Sequence, residues 1–217
     1  MLPEPELILI DLDGTVYPNN NGIWEQMSHN IEAYMVERLG IAANKTHPLR
    51  ERLYSTYGTT LRGLQTEFHI DPEDYLSYIH DFEAEAFISP NLPLRDALES
   101  LPQPKWIFTN SDRMHSERIL KALGIADLFL GIIDVVALDF IPKPTPQAYT
   151  RAVEIAGGAA PGHTMFIEDS LRNLSAAKSL GWQTVWITEH KHAPDVDYIL
   201  PRLEDIGLIQ WNGAYGN

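Results

Sequence analysis

The chain has 217 residues, of which 44% are hydrophobic and 21% charged, with a formal net charge of −14 and no cysteine. That balance fits a folded protein of one large domain, or a core domain with a smaller companion, and rules out disulfides and thiolate chemistry. The negative field opposes a nucleic-acid polymer or an anionic membrane, no long apolar run offers a membrane span, and the acidic start MLPEPEL lacks a secretion pattern, so a cytoplasmic protein is expected.

In chain order, Leu7-Ile8-Leu9-Ile10 is a short apolar run stopped at Asp11, and it reads as a buried strand of a parallel sheet. Asp11 and Asp13 then stand at the strand end, where open α/β sheets hold ligands. Two acids so close repel, and a shared divalent metal relieves the repulsion; the plain alternative is a surface Asp-Gly turn. Val16 to Gly22 is a polar, turn-rich loop. From Trp24 to Leu39 the apolar spacing is helical, with Gly40 as a stop. His47-Pro48 opens a second helical piece to about Tyr57, Thr59 starts a third, and Asp71-Pro72 caps a fourth that runs to Phe82. This block has no convincing strand and follows directly on one. The expected organisation is therefore a core of residues 1–17 and 90–217 with a helical cap inserted over 18–89.

After Pro90 and Pro93 the alternation resumes. Helices are predicted over Leu94 to Leu101, Arg113 to Leu123, Thr145 to Ile155 and Leu171 to Leu180. Strands are predicted over Lys105 to Phe108, Phe129 to Val136, Thr164 to Ile167 and Gln183 to Ile187, with Tyr198-Ile199 as a short edge strand. Asp139 to Pro144 reads as an extended loop and the Gly-rich tail from Trp211 to Asn217 as poorly ordered. The βαβα order implies an α/β fold with a doubly wound parallel sheet, Rossmann-like, carrying the inserted helices.

Four polar clusters stand out, three of them directly behind apolar strands: Asp11-x-Asp13-Gly-Thr15, Thr109-Asn110, Lys143-Pro144 and Glu168-Asp169-Ser170. In a parallel sheet these strand ends share one edge. A candidate nucleophile, a hydroxyl, a cation and a second acidic pair suit phosphoryl transfer through an aspartyl-phosphate.

In these residues the chain resembles the haloacid dehalogenase superfamily, in particular its phosphatases. DLDGT is similar to motif I, FTNS to motif II, the Lys of IPKP to motif III and FIEDS to motif IV, in order and across the whole core. YGTTLRGL, HIDPEDY, KWIFTNSDRMHSERIL and SLRNLSAAKSLGW further resemble the pyrimidine 5′-nucleotidase-like branch. The resemblance implies roles residue by residue. Asp11 attacks phosphorus and binds Mg²⁺; Asp13 is the general acid and base, and its backbone carbonyl faces the metal. Thr109 and Asn110 bind the phosphoryl oxygens, though Thr109 also suits a helix cap. Lys143, stiffened between Pro142 and Pro144, neutralises phosphate and Asp11. Asp169 binds Mg²⁺ directly, Glu168 directly or through water, and Ser170 and Asn173 support them and cap the following helix. Many relatives have Asp at the positions of Glu168 or Asn173, a departure expected to shift metal affinity.

The implied activity is Mg²⁺-dependent hydrolysis of a small-molecule phosphomonoester, with a pyrimidine nucleoside monophosphate as the expected substrate. The alternatives are a phosphatase for a sugar phosphate, phosphoglycolate or lysophosphatidate, a phosphomutase, and a non-catalytic binding module. Within the insertion, Arg62 is the candidate substrate contact against a solvated alternative, while Tyr54 and Tyr57, at helical spacing, read as core. His190-Lys191-His192 reads as a solvated loop rather than a metal site, and no oligomeric state is legible.

Overall fold

The computed structural model describes residues 2–192 and 195–211. The expectation for the C-terminal tail therefore falls outside the described residues from 212 onward. Six strands form one sheet: β1 (Leu7–Ile10), β2 (Lys105–Phe108), β3 (Gly131–Ile133), β4 (Thr164–Glu168), β5 (Gln183–Ile187) and β6 (Tyr198–Leu200). Their order is β3-β2-β1-β4-β5-β6 and every pairing is parallel. This is the doubly wound sheet the alternation predicts.

The period of two in β1 explains how one strand serves two cores. Ile8 and Ile10 face one side, where α5 (Leu92–Glu99) and α6 (Arg113–Leu123) pack through Leu94, Leu98, Ile119 and Leu120. Leu7 and Leu9 face the other, against Ala148, Tyr149 and Ala152 of α7 (Pro146–Ile155) and Leu174 and Ala177 of α8 (Leu171–Ser179). All four side chains of β1 are buried, each contributing roughly 1.5–3 kcal/mol by leaving water.

Between β1 and β2 the chain forms α1 (Ile23–Glu37), α2 (Ala43–Tyr57), α3 (Thr60–Phe68) and α4 (Pro72–Ile79). They enclose a third apolar cluster built on Ile31, Tyr34, Leu53, Leu64 and Tyr75, to which the β3 side contributes Val135. Asp71 caps α4 by accepting from the Glu73 main-chain N–H at 2.9 Å, with Pro72 in the first turn, as its sequence predicts. Helix α2 differs: it begins at Ala43, so Pro48 lies inside it rather than opening it.

Two further elements depart from the sequence reading. β3 is shorter than the apolar run that predicts it, because Asp134 turns the chain, accepting from the main-chain N–H groups of Arg113 (3.1 Å) and Ala137 (3.2 Å). The segment after it is coiled rather than extended, with Asp139 and Phe140 at φ 53° and 57°.

Candidate active site

The winding direction of the sheet reverses between β1 and β4, which opens a crevice beyond their carboxyl ends. Asp11 is the first residue past β1 and continues its pairing, its N–H donating to the Ile167 carbonyl at 2.9 Å. Glu168 ends β4 and Asp169 follows it. Lys143 arrives from the loop before α7. It is 1% exposed, and its Nζ donates to Asp11 Oδ1 at 2.6 Å, Glu168 Oε2 at 2.8 Å and the Phe108 carbonyl at 2.8 Å. All three ammonium protons thus have acceptors. The rings of Phe108 and Phe166 each lie 5.0 Å from Nζ. Burial works against the Lys143 charge, but Asp11 and Glu168 outweigh it and hold the pKa above the ordinary lysine value.

Asn110 explains how so flexible a side chain is aimed. Its Oδ1 accepts from the Lys143 main-chain N–H (2.8 Å) and its Nδ2 donates to the Lys143 carbonyl (3.1 Å), so its side-chain amide is spent on backbone. Thr109 is buried, and its Oγ1 accepts from the Ser111 N–H at 3.0 Å. It does not cap the next helix: Asp112 caps α6, accepting from the His115 N–H at 2.7 Å.

Glu168 Oε2 also accepts from Asn173 Nδ2 at 2.9 Å, and its Oε1 from the Ser170 N–H at 3.2 Å. Ser170 stands at the head of α8, but its side chain makes no capping bond, contrary to expectation. Asp169 is fixed by Asn19 Nδ2 on Oδ2 (2.9 Å) and by Trp186 Nε1 on its carbonyl (2.8 Å). Its approach to the loop after β1 depends on Gly14, at φ +93°, where a Cβ would lie 2.4 Å from Asp169 Oδ2.

Asp11, Glu168 and Asp169 offer oxygens that all lie within 4.8 Å of one another. Burial, and then the charge of Glu168, push Asp11 well above the usual carboxylate range and raise Asp169 to about 7. A crowded all-oxygen set with only one lysine against it fits a hard divalent cation.

Asp13 has a different setting. Its Oδ1 accepts from the Tyr17 hydroxyl and from His115 Nε2 (2.8 Å), and its Oδ2 from Ser111 Oγ (2.5 Å). Burial favours its neutral form, but the adjoining His115 together with the Ser111 and Tyr17 bonds overcomes that and holds its pKa well below the ordinary value. None of these three donors was singled out from sequence. Ser111 closes the FTNS stretch that resembles motif II, and both it and His115 fall within the longer KWIFTNSDRMHSERIL run, Ser111 before α6 and His115 in its first turn.

Above these groups lies a cavity of about 730 Å³, with Asp11, Asp13, Thr109 and Lys143 in its floor and Trp24, Tyr54, Leu61 and Tyr75 of the helical insertion in its walls. Arg62 is exposed and does not line it; Arg50 does, its guanidinium 6.0 Å from the Trp24 ring. Tyr54 is not core, being 50% exposed on the cavity wall, whereas Tyr57 packs against the third cluster. His190-Lys191-His192 is exposed, as expected.

A doubly wound sheet with carboxylates and one buried lysine gathered at its switch point defines an α/β protein with a charged crevice between β1 and β4. The sequence matches the profile described as haloacid dehalogenase-like hydrolase over residues 5–181, and the chain belongs to that family. It is 30% identical over 198 residues to phosphate metabolism protein 8 of Saccharomyces cerevisiae, covering 83% of this chain and 62% of that protein. It is 34% identical over 93 residues to a phosphoglycolate phosphatase of Neisseria gonorrhoeae, covering 42% of this chain and 38% of the relative. The chain thus spans less than two thirds of the length of either relative. Among solved structures, CbbY from Rhodobacter sphaeroides in complex with phosphate superimposes with a TM-score of 0.67 at 20% identity, covering 94% of this chain and 96% of that one, a likeness of fold.

Proposed function

We propose that this chain is a Mg²⁺-dependent phosphatase that hydrolyses a small phosphomonoester through an aspartyl-phosphate on Asp11. The observation that carries the reading is the buried Lys143 ammonium 2.6 Å from Asp11 Oδ1, an ion pair at a strand end beneath an open cavity. In the first half-reaction an Asp11 oxygen bonds to phosphorus, the bond from phosphorus to the leaving oxygen breaks, and Asp13 gives that oxygen a proton. In the second, Asp13 takes a proton from water as the water oxygen attacks phosphorus, and the Asp11–phosphorus bond breaks to release phosphate. Thr109 and the Asn110 main-chain amide hold the phosphoryl oxygens, and Lys143 neutralises charge on them and on Asp11. Asp11, Asp169, the Asp13 carbonyl, and Glu168 directly or through water would hold Mg²⁺, which when bound offsets the phosphate charge. In the arrangement described, three donors keep Asp13 as a carboxylate, its base form. A phosphate dianion beside it favours the protonated form that the first step needs.

Residues 18–89 act as a cap that closes over the core of residues 1–17 and 90–217, excludes bulk water and selects the leaving group. A pyrimidine nucleoside monophosphate suits the cavity, whose roughly 730 Å³ far exceeds a phosphoryl group and whose Trp24 and Tyr54 offer aromatic faces to a base. The test is a screen of phosphate release with Mg²⁺ that ranks UMP and CMP against purine nucleotides, sugar phosphates and phosphoglycolate. A preference for sugar phosphates would reject the nucleotidase reading and leave the phosphatase one. Phosphoryl transfer to a second substrate instead of isotopic water would indicate a mutase. Full turnover after complete removal of Mg²⁺ would overturn the mechanism.

A further inference from the structure

Two buried imidazoles stand behind Asp13, one of them among the three donors that hold it. His115, in the first turn of α6, is 0% exposed, and its Nε2 lies 2.8 Å from Asp13 Oδ1. A carboxylate only accepts, so Nε2 carries the proton and donates. Against its ring lies that of His80, with centroids 4.2 Å apart and planes 14° from parallel. His80 is 2% exposed and belongs to the insertion, closing α4.

One carboxylate ties the two residues together. Asp112 Oδ1 accepts from the His115 main-chain N–H at 2.7 Å, and its Oδ2 contacts His80 Nδ1 at 2.7 Å. Arg118, farther along α6, donates to the carbonyls of His80 (2.5 Å) and Phe82 (3.0 Å). The returning end of the insertion is therefore seated on α6 immediately behind the ring that faces Asp13. Of the three donors on Asp13, Tyr17 and Ser111 belong to the loops after β1 and β2; His115 is the one stacked against the insertion.

We propose that His115 is a positioning residue for Asp13, and that His80 holds the His115 ring, so that the orientation of the acid/base depends on how the insertion sits on α6. The inference rests on Asp13 being the acid/base. His115 touches no substrate and acts through the carboxylate it orients. A ring that only filled space would make no distinction between leaving groups, whereas one that orients the proton donor matters most when the departing oxygen needs a proton.

The experiment compares kcat/KM, which reports Asp11 phosphorylation, for an alkyl phosphomonoester and for 2,4-dinitrophenyl phosphate, whose leaving group departs unprotonated. His115→Leu should lower kcat/KM about 10- to 100-fold for the alkyl ester and far less for the aryl ester. His115→Gln, whose amide reaches the place of Nε2, should recover most of the loss, and His115→Asn, whose amide falls short of it, should not. His80→Ala should show the same selectivity at smaller size. Should His115→Leu not fold, as judged by circular dichroism and Tm, the Gln and Asn pair decides. Equal losses on both esters, or no loss on the alkyl ester, would overturn the proposal. Asp13→Asn separates the two levels. If it shows the leaving-group selectivity and His115→Leu does not, only the His115 inference fails; if Asp13→Asn lacks it too, the acid/base reading of Asp13 fails with it.

Discussion

The floor and the walls of the cavity are built by opposite rules. In the floor, buried charges meet at 2.6 and 2.8 Å, and Lys143 has an acceptor for every proton. In the walls, Trp24 and Tyr54 are 43% and 50% exposed, and His47 stands 3.4 and 3.5 Å from Glu32 and Glu51. A buried charge must be paired, so the floor has one arrangement. A half-exposed aromatic ring carries no such demand, and the walls are free to adapt to a leaving group. The floor should therefore govern whether the reaction happens and the walls which ester undergoes it.

The largest test of that division is Asp11→Asn. It should cut turnover at least about 10⁴-fold while circular dichroism stays native. Substantial hydrolysis by this variant would show that the floor does not contain the nucleophile. Asp13→Asn comes next, with kcat expected to fall about 10²- to 10⁴-fold, measured on an alkyl ester. Gly14→Ala forces a Cβ toward Asp169 at a left-handed residue, a strain of roughly 1–3 kcal/mol. It should weaken Mg²⁺ activation, read as a higher Mg²⁺ concentration for half-maximal rate. Mg²⁺ itself, at about a hundred times its Kd, should stabilise the fold by about 2.7 kcal/mol and raise Tm by about 5 to 10 °C, reversed by chelator. The smallest effect belongs to the walls: Tyr54→Ala should leave stability within about 0.5 kcal/mol and change KM several-fold, unequally among esters. If Tyr54→Ala lowered kcat equally on all substrates, the contrast between floor and walls would fail.

The same contrast decides what could be read from the sequence. Asp11 and Asp169 were legible because an acid at the end of an apolar strand has few structural reasons to be there, whereas Lys143, on a loop, was marked only by its place among the other three clusters. Asn110 and Ser170 were found in the right place, but their bonds were not foreseeable: the Asn110 side chain holds the Lys143 backbone, and Ser170 serves through its main-chain N–H. Tyr17, Ser111 and His115 escaped because loops and helix starts are ordinary homes for such residues. In the walls, helical spacing read Tyr54 and Tyr57 alike as core, but only Tyr57 packs with Leu49 and Leu53 in the third cluster, while Tyr54, about 100° round from Leu53, opens onto the cavity. Arg62 failed for the same reason, since a helix pattern separates apolar from polar faces and does not say which polar face meets a substrate.

Phe108 and Phe166 sit in the apolar layer beneath the sheet, and nothing about their burial suggests chemistry. Both rings nevertheless stand 5.0 Å from the Lys143 ammonium. A search for heat-tolerant variants would treat these positions as filler, to be exchanged for any side chain of equal volume. An aliphatic replacement would keep the volume and remove the negative ring faces around the ammonium. Protein engineers repacking that layer would then be altering the catalyst from behind, at sites that no map of substrate contacts would mark as forbidden.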